Sequence, residues 1–136
     1  MDQIRRAIDR FVIVHEEVLA ACVFGSYAKG KAGEASDIDV ALLIEPPNAG
    51  FSPIEHSLRY CVELEGMLHK RVDVVLLNAA PPILRHQILR EGVLVFERDK
   101  SRVRRFIGDA LVEFYDEIVL LEAVQKTAIR RHLLGQ

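Results

Sequence analysis

The sequence predicts an α/β (α+β) domain: a sheet of about four strands covered by helices, closed by a long C-terminal helix. Three observations lead there. Apolar residues recur with helical and strand periods in alternation along the chain. From Asp99 to about Leu134 the chain has no proline and a single glycine. At 136 residues, half of them hydrophobic, the chain can bury one core without disulfides or metals to staple it.

The elements follow in order. Residues from about 2 to 20 set Ile4, Ile8, Phe11, Val12, His15 and Leu19 at helical spacing, with Arg5, Arg6, Asp9 and Arg10 outward. Ala21 to Phe24 is a short apolar strand ending at Gly25, and Ser26 to Lys31 make a helical turn. From Asp37 to Ile44 the chain alternates: Ile38, Val40, Leu42 and Ile44 share one face, Asp37, Asp39, Ala41 and Leu43 the other. Pro46 to Gly50 break the chain, and Ser52-Pro53-Ile54-Glu55 opens a helix with a capping-box pattern and proline at the first helical position. That helix is expected to turn Ile54, Leu58, Cys61, Leu64 and Leu68 inward.

Arg71 to Leu77 reads as a third strand, apolar enough to be central. Asn78 to Pro82 turn into a short helix that stops near Gly92, and Val93 to Phe96 make a fourth strand. Asp99 caps a final helix reaching about Leu134, with Val103, Phe106, Ala110, Leu111, Phe114, Ile118, Leu121 and Ile129 in its stripe. As one rod it would span roughly 54 Å, against a radius of gyration of about 14 Å for a globule of this size. It must overhang, fold back, pack on another chain or break near Gly108. We take residues 1–98 as the core and 99–136 as a C-terminal helical extension of the same domain.

Bulk properties narrow the classes. The net charge is -2 and the pI about 6.2, so the broad basic field of a nucleic-acid binder is missing. Cys22 and Cys61 have no CxxC or Cys/His grouping, which suits a reducing cytoplasm rather than a disulfide framework or zinc site. The N-terminus has no apolar signal region, and no run approaches the roughly 18 apolar residues of a membrane span. A cytoplasmic protein is expected.

The chemistry concentrates in Val23-Phe24-Gly25-Ser26-Tyr27-Ala28-Lys29-Gly30 and Ser36-Asp37-Ile38-Asp39-Val40. Glycine lets a phosphate approach the backbone, helix-start N–H groups bind anions, and the serine hydroxyl adds a donor. Gly-Ser turns are common, and a plain cap fits as well. Asp37 and Asp39 project from one face and can both reach a hard cation, though a solvent-facing strand edge explains such a pair too. Asp73 is the third acid, in a strand where a carboxylate is costly without a partner. Beside Asp37 to Ile44 it would converge with the other two and could hold two metal ions or help deprotonate an attacking hydroxyl. Paired with Arg71 it would be ordinary.

Gly25-Ser26, Asp37-Ile38-Asp39 and a later strand acid, Asp73, resemble the DNA polymerase β-type nucleotidyltransferase superfamily. More narrowly they are similar to the minimal nucleotidyltransferases, the MNT antitoxin group that pairs with HEPN-domain ribonuclease toxins. The match covers about residues 18 to 97. It implies the nucleotidyltransferase fold, a mixed sheet flanked by helices, with Mg2+ (two ions) on Asp37, Asp39 and Asp73 and a nucleoside triphosphate against Gly25 and Ser26. It also implies transfer of AMP from ATP to an acceptor hydroxyl, in the MNT group a tyrosine of the partner toxin. Lys29 stands where such proteins often carry arginine, keeping the charge and losing the bidentate fork. Lys29 and Lys31 are candidate phosphate contacts, and a solvated loop is the competing account. Tyr27 can stack on a base or simply pack.

His15, His56, His69, His86 and His132 show no metal spacing and receive no chemical role. Arg102, Arg104, Arg105, Arg130, Arg131 and His132 are candidate partner contacts on helix faces that are otherwise solvated. The leading expectation is a Mg2+-dependent protein adenylyltransferase acting as an antitoxin. Two alternatives stand: a non-catalytic antitoxin that covers its toxin through the C-terminal helix, and a small-molecule (aminoglycoside-like) nucleotidyltransferase. The few residues beyond Phe96 weigh against the last.

Overall fold

The structure, a computed structural model, describes residues 1–46 and 50–135. Residues 47 to 49, inside the break expected at Pro46 to Gly50, lie outside the described residues. In chain order the elements are α1 (Asp2–Val14), β1 (Val18–Phe24), α2 (Gly25–Ala28), β2 (Ile38–Ile44), α3 (Pro53–Leu68), β3 (Val72–Leu76), α4 (Pro82–Glu91), β4 (Val93–Glu97) and α5 (Lys100–Leu133).

The strands form one mixed sheet in the order β3-β2-β1-β4. β1 runs antiparallel to β2 and β4, while β2 and β3 are parallel. Helices cover both faces. On one face Ile4, Ile8, Phe11, Val12, Tyr60 and Leu64 close over Val23, Val40, Leu42 and Leu76. On the other, Ile88, Val103 and Phe106 pack on Leu19, Cys22, Ala41 and Leu43. The strict alternation of β2 thus serves two cores, since successive side chains leave a strand on opposite faces.

Three expectations change. The first helix ends at Val14 instead of about residue 20, with the His15 N–H closing onto the Phe11 carbonyl at 3.2 Å. Val18–Phe24 is flanked by strands on both sides, so its unbroken apolar run is satisfied as a strand, and Leu19 belongs to the sheet. In α3, Ile54 and Leu58 are outward, 74% and 60% exposed; Tyr60 and Leu64 are the buried residues. Leu64 is buried as expected and Cys61 and Leu68 are half-buried, while Tyr60 joins the inward face by packing edge-on to Phe11 of α1. β3, finally, is an edge strand and not a central one.

The caps behave as their chemistry requires. Ser52 accepts from the Glu55 N–H at 3.3 Å with Pro53 at the first helical position, and Asp99 accepts from the Ser101 and Arg102 N–H groups. α5 runs through Gly108 as a single helix of 34 residues, about 51 Å long. Its first turns are held by Val103 and Ala110. From Val119 onward every described residue is exposed, so the far half projects away from the core. No helix is long and apolar enough to cross a membrane among the described residues.

Candidate active site

The C-terminal end of β1, the N-terminal end of β2 and the start of β3 lie side by side at one edge of the sheet. Antiparallel pairing sets Phe24 opposite Asp39, and in-register parallel pairing sets Asp39 opposite Asp73. Paired residues share a face. Asp39 and Asp73 therefore project together, on the face that α4 and α5 cover farther along. Asp37 comes just before β2 and is exposed, as is Asp73, while Asp39 is half-buried.

Gly25 explains that half-burial. The chain leaves β1 with Gly25 at φ +69°, and the space where a side chain would begin is already taken by the Asp39 carboxylate. A Cβ there would overlap Asp39 Oδ2 and stand 3.1 Å from its Cγ. Glycine is required twice over, for the left-handed backbone and for the close approach.

The electrostatics of the acids follow from this packing. Burial pushes the Asp39 carboxyl above its ordinary 3.8, and the charges of Asp73 and then Asp37 push it the same way. The charges that push Asp39 up repel it with no compensating cation, and a hard divalent ion is the group that would relieve it. Among the described residues no cluster of three or more His, Cys, Asp or Glu side chains is drawn together tightly enough to ligate an ion as it stands. The donors are the right kind and the charges of Asp73 and Asp37 reach Asp39, but the three do not form a ready-made cage for an ion.

The Gly-Ser turn opens α2, whose first N–H groups have no helical partner by position. The turn is closed behind by the Lys29 N–H on the Gly25 carbonyl at 3.2 Å and the Lys31 N–H on the Ser26 carbonyl at 2.9 Å. Ser26 is half-buried; Lys29 and Lys31 are exposed. Lys29 Nζ stands 3.7 Å from Glu91 Oε2, at the end of α4. Lys70 Nζ donates to the Tyr27 hydroxyl at 2.9 Å and lies over its ring, and the ring packs against the core. Tyr27 accordingly has a packing role. Asp73 has no ion pair with Arg71 among the described residues.

Glu91 and Lys70 were not visible in the sequence as neighbours of this site. Each is far along the chain from the motif it touches, and no spacing signals a contact made by the end of a helix or a turn. Cys22 is buried and the Cys61 thiol donates to the Val72 carbonyl at 2.7 Å; burial pushes both thiols up to about 11, with Glu65 and the Asp73 charge adding to the rise at Cys61. The apolar hollow between α4 and α5, lined by His86, Leu89, Ile107 and Leu111, contains none of the acids. The candidate site is a sheet end at which Asp37 and Asp73 are exposed.

Comparison with known proteins adds four findings. Residues 6–101 match the family model described as polymerase beta, nucleotidyltransferase. A provisionally assigned protein adenylyltransferase of Methanocaldococcus jannaschii is 39% identical over 93 residues, covering 68% of this chain and 95% of that protein. In fold the chain is similar to a toxin–antitoxin solved with AMP-PNP, at TM-score 0.74 and 19% identity over 92% of this chain and 98% of that one. It is similar also to a chain of the tri-AMPylated Shewanella oneidensis HEPN toxin in complex with MNT antitoxin, at TM-score 0.67 and 17% identity over 95% and 99%.

Proposed function

The chain belongs to the polymerase beta nucleotidyltransferase family, and on that premise we propose that it is an antitoxin that transfers AMP from ATP to a tyrosine hydroxyl of a HEPN-type toxin. The observation that carries this is the registry of Asp39 with Asp73 beside a glycine that has given up its side chain to admit the Asp39 carboxylate. The kinship with a protein adenylyltransferase and the fold shared with toxin–antitoxin complexes, one of them AMPylated, support the acceptor class.

Asp37, Asp39 and Asp73 would hold Mg2+, which supplies charge neutralisation for the triphosphate and the departing pyrophosphate. The chain's own groups do the rest. Backbone N–H groups at Gly25 and Ser26, with the Ser26 hydroxyl, position the phosphates. Lys29 and Lys31 add positive charge, Lys29 exchanging Glu91 for phosphate oxygen. Transfer forms a bond from the tyrosine oxygen to the α-phosphorus and breaks the bond from that phosphorus to the pyrophosphate oxygen. The phenolic proton passes to a carboxylate, the role we give to Asp73. Catalysis on this plan is positioning and electrostatic stabilisation.

The exposed far half of α5 supports a partner role, and we assign toxin contact and any oligomer to residues 99–136, with 1–98 as the catalytic core. A purely covering antitoxin would need that helix alone. The test incubates the protein with ATP labelled at the α-phosphate, Mg2+ and the protein encoded by the neighbouring reading frame. Label transfer by wild type and its loss in Asp37→Ala/Asp39→Ala are expected. Toxin neutralised without any label transfer would instead establish the covering mode.

A further inference from the structure

β3 is the open edge of the sheet, and its hydrogen-bonding phase can be worked out. The Ile38 N–H donates to the Arg71 carbonyl at 2.9 Å and the Leu77 N–H to the Leu42 carbonyl at 2.8 Å. In a parallel ladder this phase points the backbone of Arg71, Asp73, Val75 and Leu77 at β2 and that of Val72, Val74 and Leu76 outward. The Val72 carbonyl is taken by the Cys61 thiol and the Leu76 carbonyl by the Ala79 N–H. The N–H and carbonyl of Val74 are left without a protein partner among the described residues.

Along this edge runs an apolar groove of about 250 Å³, with Val74, Val75 and Leu76 as its floor and Pro53, Ile54 and Leu84 among its walls. Ile54 is 74% exposed and Leu84 37%. The floor leads directly into Asp73, whose carboxylate lies one residue from the free Val74 groups and on the face of Asp39. Unpaired strand groups beside apolar pockets are how proteins capture an extended peptide.

We propose that the β3 edge is the acceptor-docking track: an extended, tyrosine-bearing segment of the acceptor protein pairs with Val74 and delivers its hydroxyl past Asp73. This rests on the adenylyl-transfer reading and adds the mode of acceptor recognition. A second copy of the chain fits worse. Antiparallel pairing of two β3 strands about Val74 would set Asp73 diagonally against the other copy's Asp73, about 7–8 Å apart on one face, stacking two already repelling acid clusters. Contact area points the same way. A strand of five residues is about 17 Å long, which suits a transient enzyme–acceptor encounter rather than the roughly 1,200–2,000 Å² of a stable interface. The acids demand that the segment be neutral or basic where it passes them.

Val74→Pro removes the outward N–H without touching the β2 ladder, at an edge position of the kind where a sheet tolerates proline. With the neighbouring-frame protein as acceptor, we expect its KM to rise about tenfold or more while kcat stays within about twofold and ATP binding is unchanged. Ile54→Asp and Leu84→Asp, on the exposed groove walls, should act in the same direction and serve if the proline variant melts early. Hydrogen exchange on the unmutated protein should show the Val74 and Leu76 amides slowed about tenfold or more when the acceptor is added. Transfer undiminished in all three variants, or no slowing at those amides, overturns the docking track and leaves the transferase standing. Wild-type protein that transfers no label overturns the transferase reading itself. Self-association abolished by Val74→Pro would assign the edge to a second copy and also overturn the proposal.

Discussion

Gly25→Ala tests the packing of the site most directly. The substitution forces a non-glycine residue to hold φ +69°, costing about 1–2 kcal/mol, and places a methyl into the Asp39 carboxylate. The obstacle is the end of a side chain and not backbone, so the relief is for Asp39 to rotate away. Stability should therefore fall by little more than the backbone term, a drop in Tm of about 3–10 °C, while transfer falls about 100-fold or more because the displaced carboxylate leaves its place beside Asp73 in the register. Thermal melts monitored by circular dichroism and label transfer from ATP read the two effects separately. A double-mutant cycle with Asp39→Ala separates clash from backbone strain. With the carboxylate gone, Gly25→Ala should retain its backbone cost and lose the rest. Transfer within about threefold of wild type in Gly25→Ala, or a full stability cost that persists unchanged and exceeds the backbone term in the Asp39→Ala background, would refute the account.

Asp39→Asn should raise Tm at neutral pH: a carboxyl whose folded pKa lies above its unfolded 3.8 binds its proton more tightly in the folded state, so stability falls as pH rises through that window. Melts of both proteins across the acid range should converge below the unfolded value, and a gap that widens at low pH would contradict the sign. Mg2+ should raise the Tm of wild type, by about 2.7 kcal/mol of stabilisation at a hundredfold excess over its Kd, and leave Asp37→Asn/Asp39→Asn unmoved; equal shifts in both would place the ion elsewhere. Glu91→Gln should tighten ATP binding about two- to fivefold by freeing Lys29 from a partly exposed pair, read by nucleotide titration, with no change expected in a Lys29→Ala background. Truncation before Val119 should leave Tm within a few degrees, since the removed helix is exposed throughout, while capture of the neighbouring-frame protein is lost; a collapse in Tm would show that the far helix belongs to the core.

Local chemistry made much of this molecule legible in its sequence. The alternation of Ile38 to Ile44 set Asp39, Ala41 and Leu43 on one face, the caps at Ser52 and Asp99 set where α3 and α5 begin, and the spacing of Gly-Ser from Asp-x-Asp announced the family. These depend on backbone periodicity, a few hydrogen bonds and short-range sterics, which neighbouring residues determine. What pairs with what was decided elsewhere. The apolar run through Val18 could extend a helix or form a strand, and only β2 and β4 on its flanks settled it. Arg71 to Leu77 looked central by composition and lies at the edge: helices pack on both of its faces, which makes it apolar, and face burial does not tell whether a strand pairs along its outer side. The fit of Gly25 around the Asp39 carboxylate, the reach of Glu91 to Lys29 and the open backbone of Val74 arise from chain segments brought together across the sheet. Such contacts carry no period and no fixed spacing, because they follow from which surfaces could be buried at once by the whole chain.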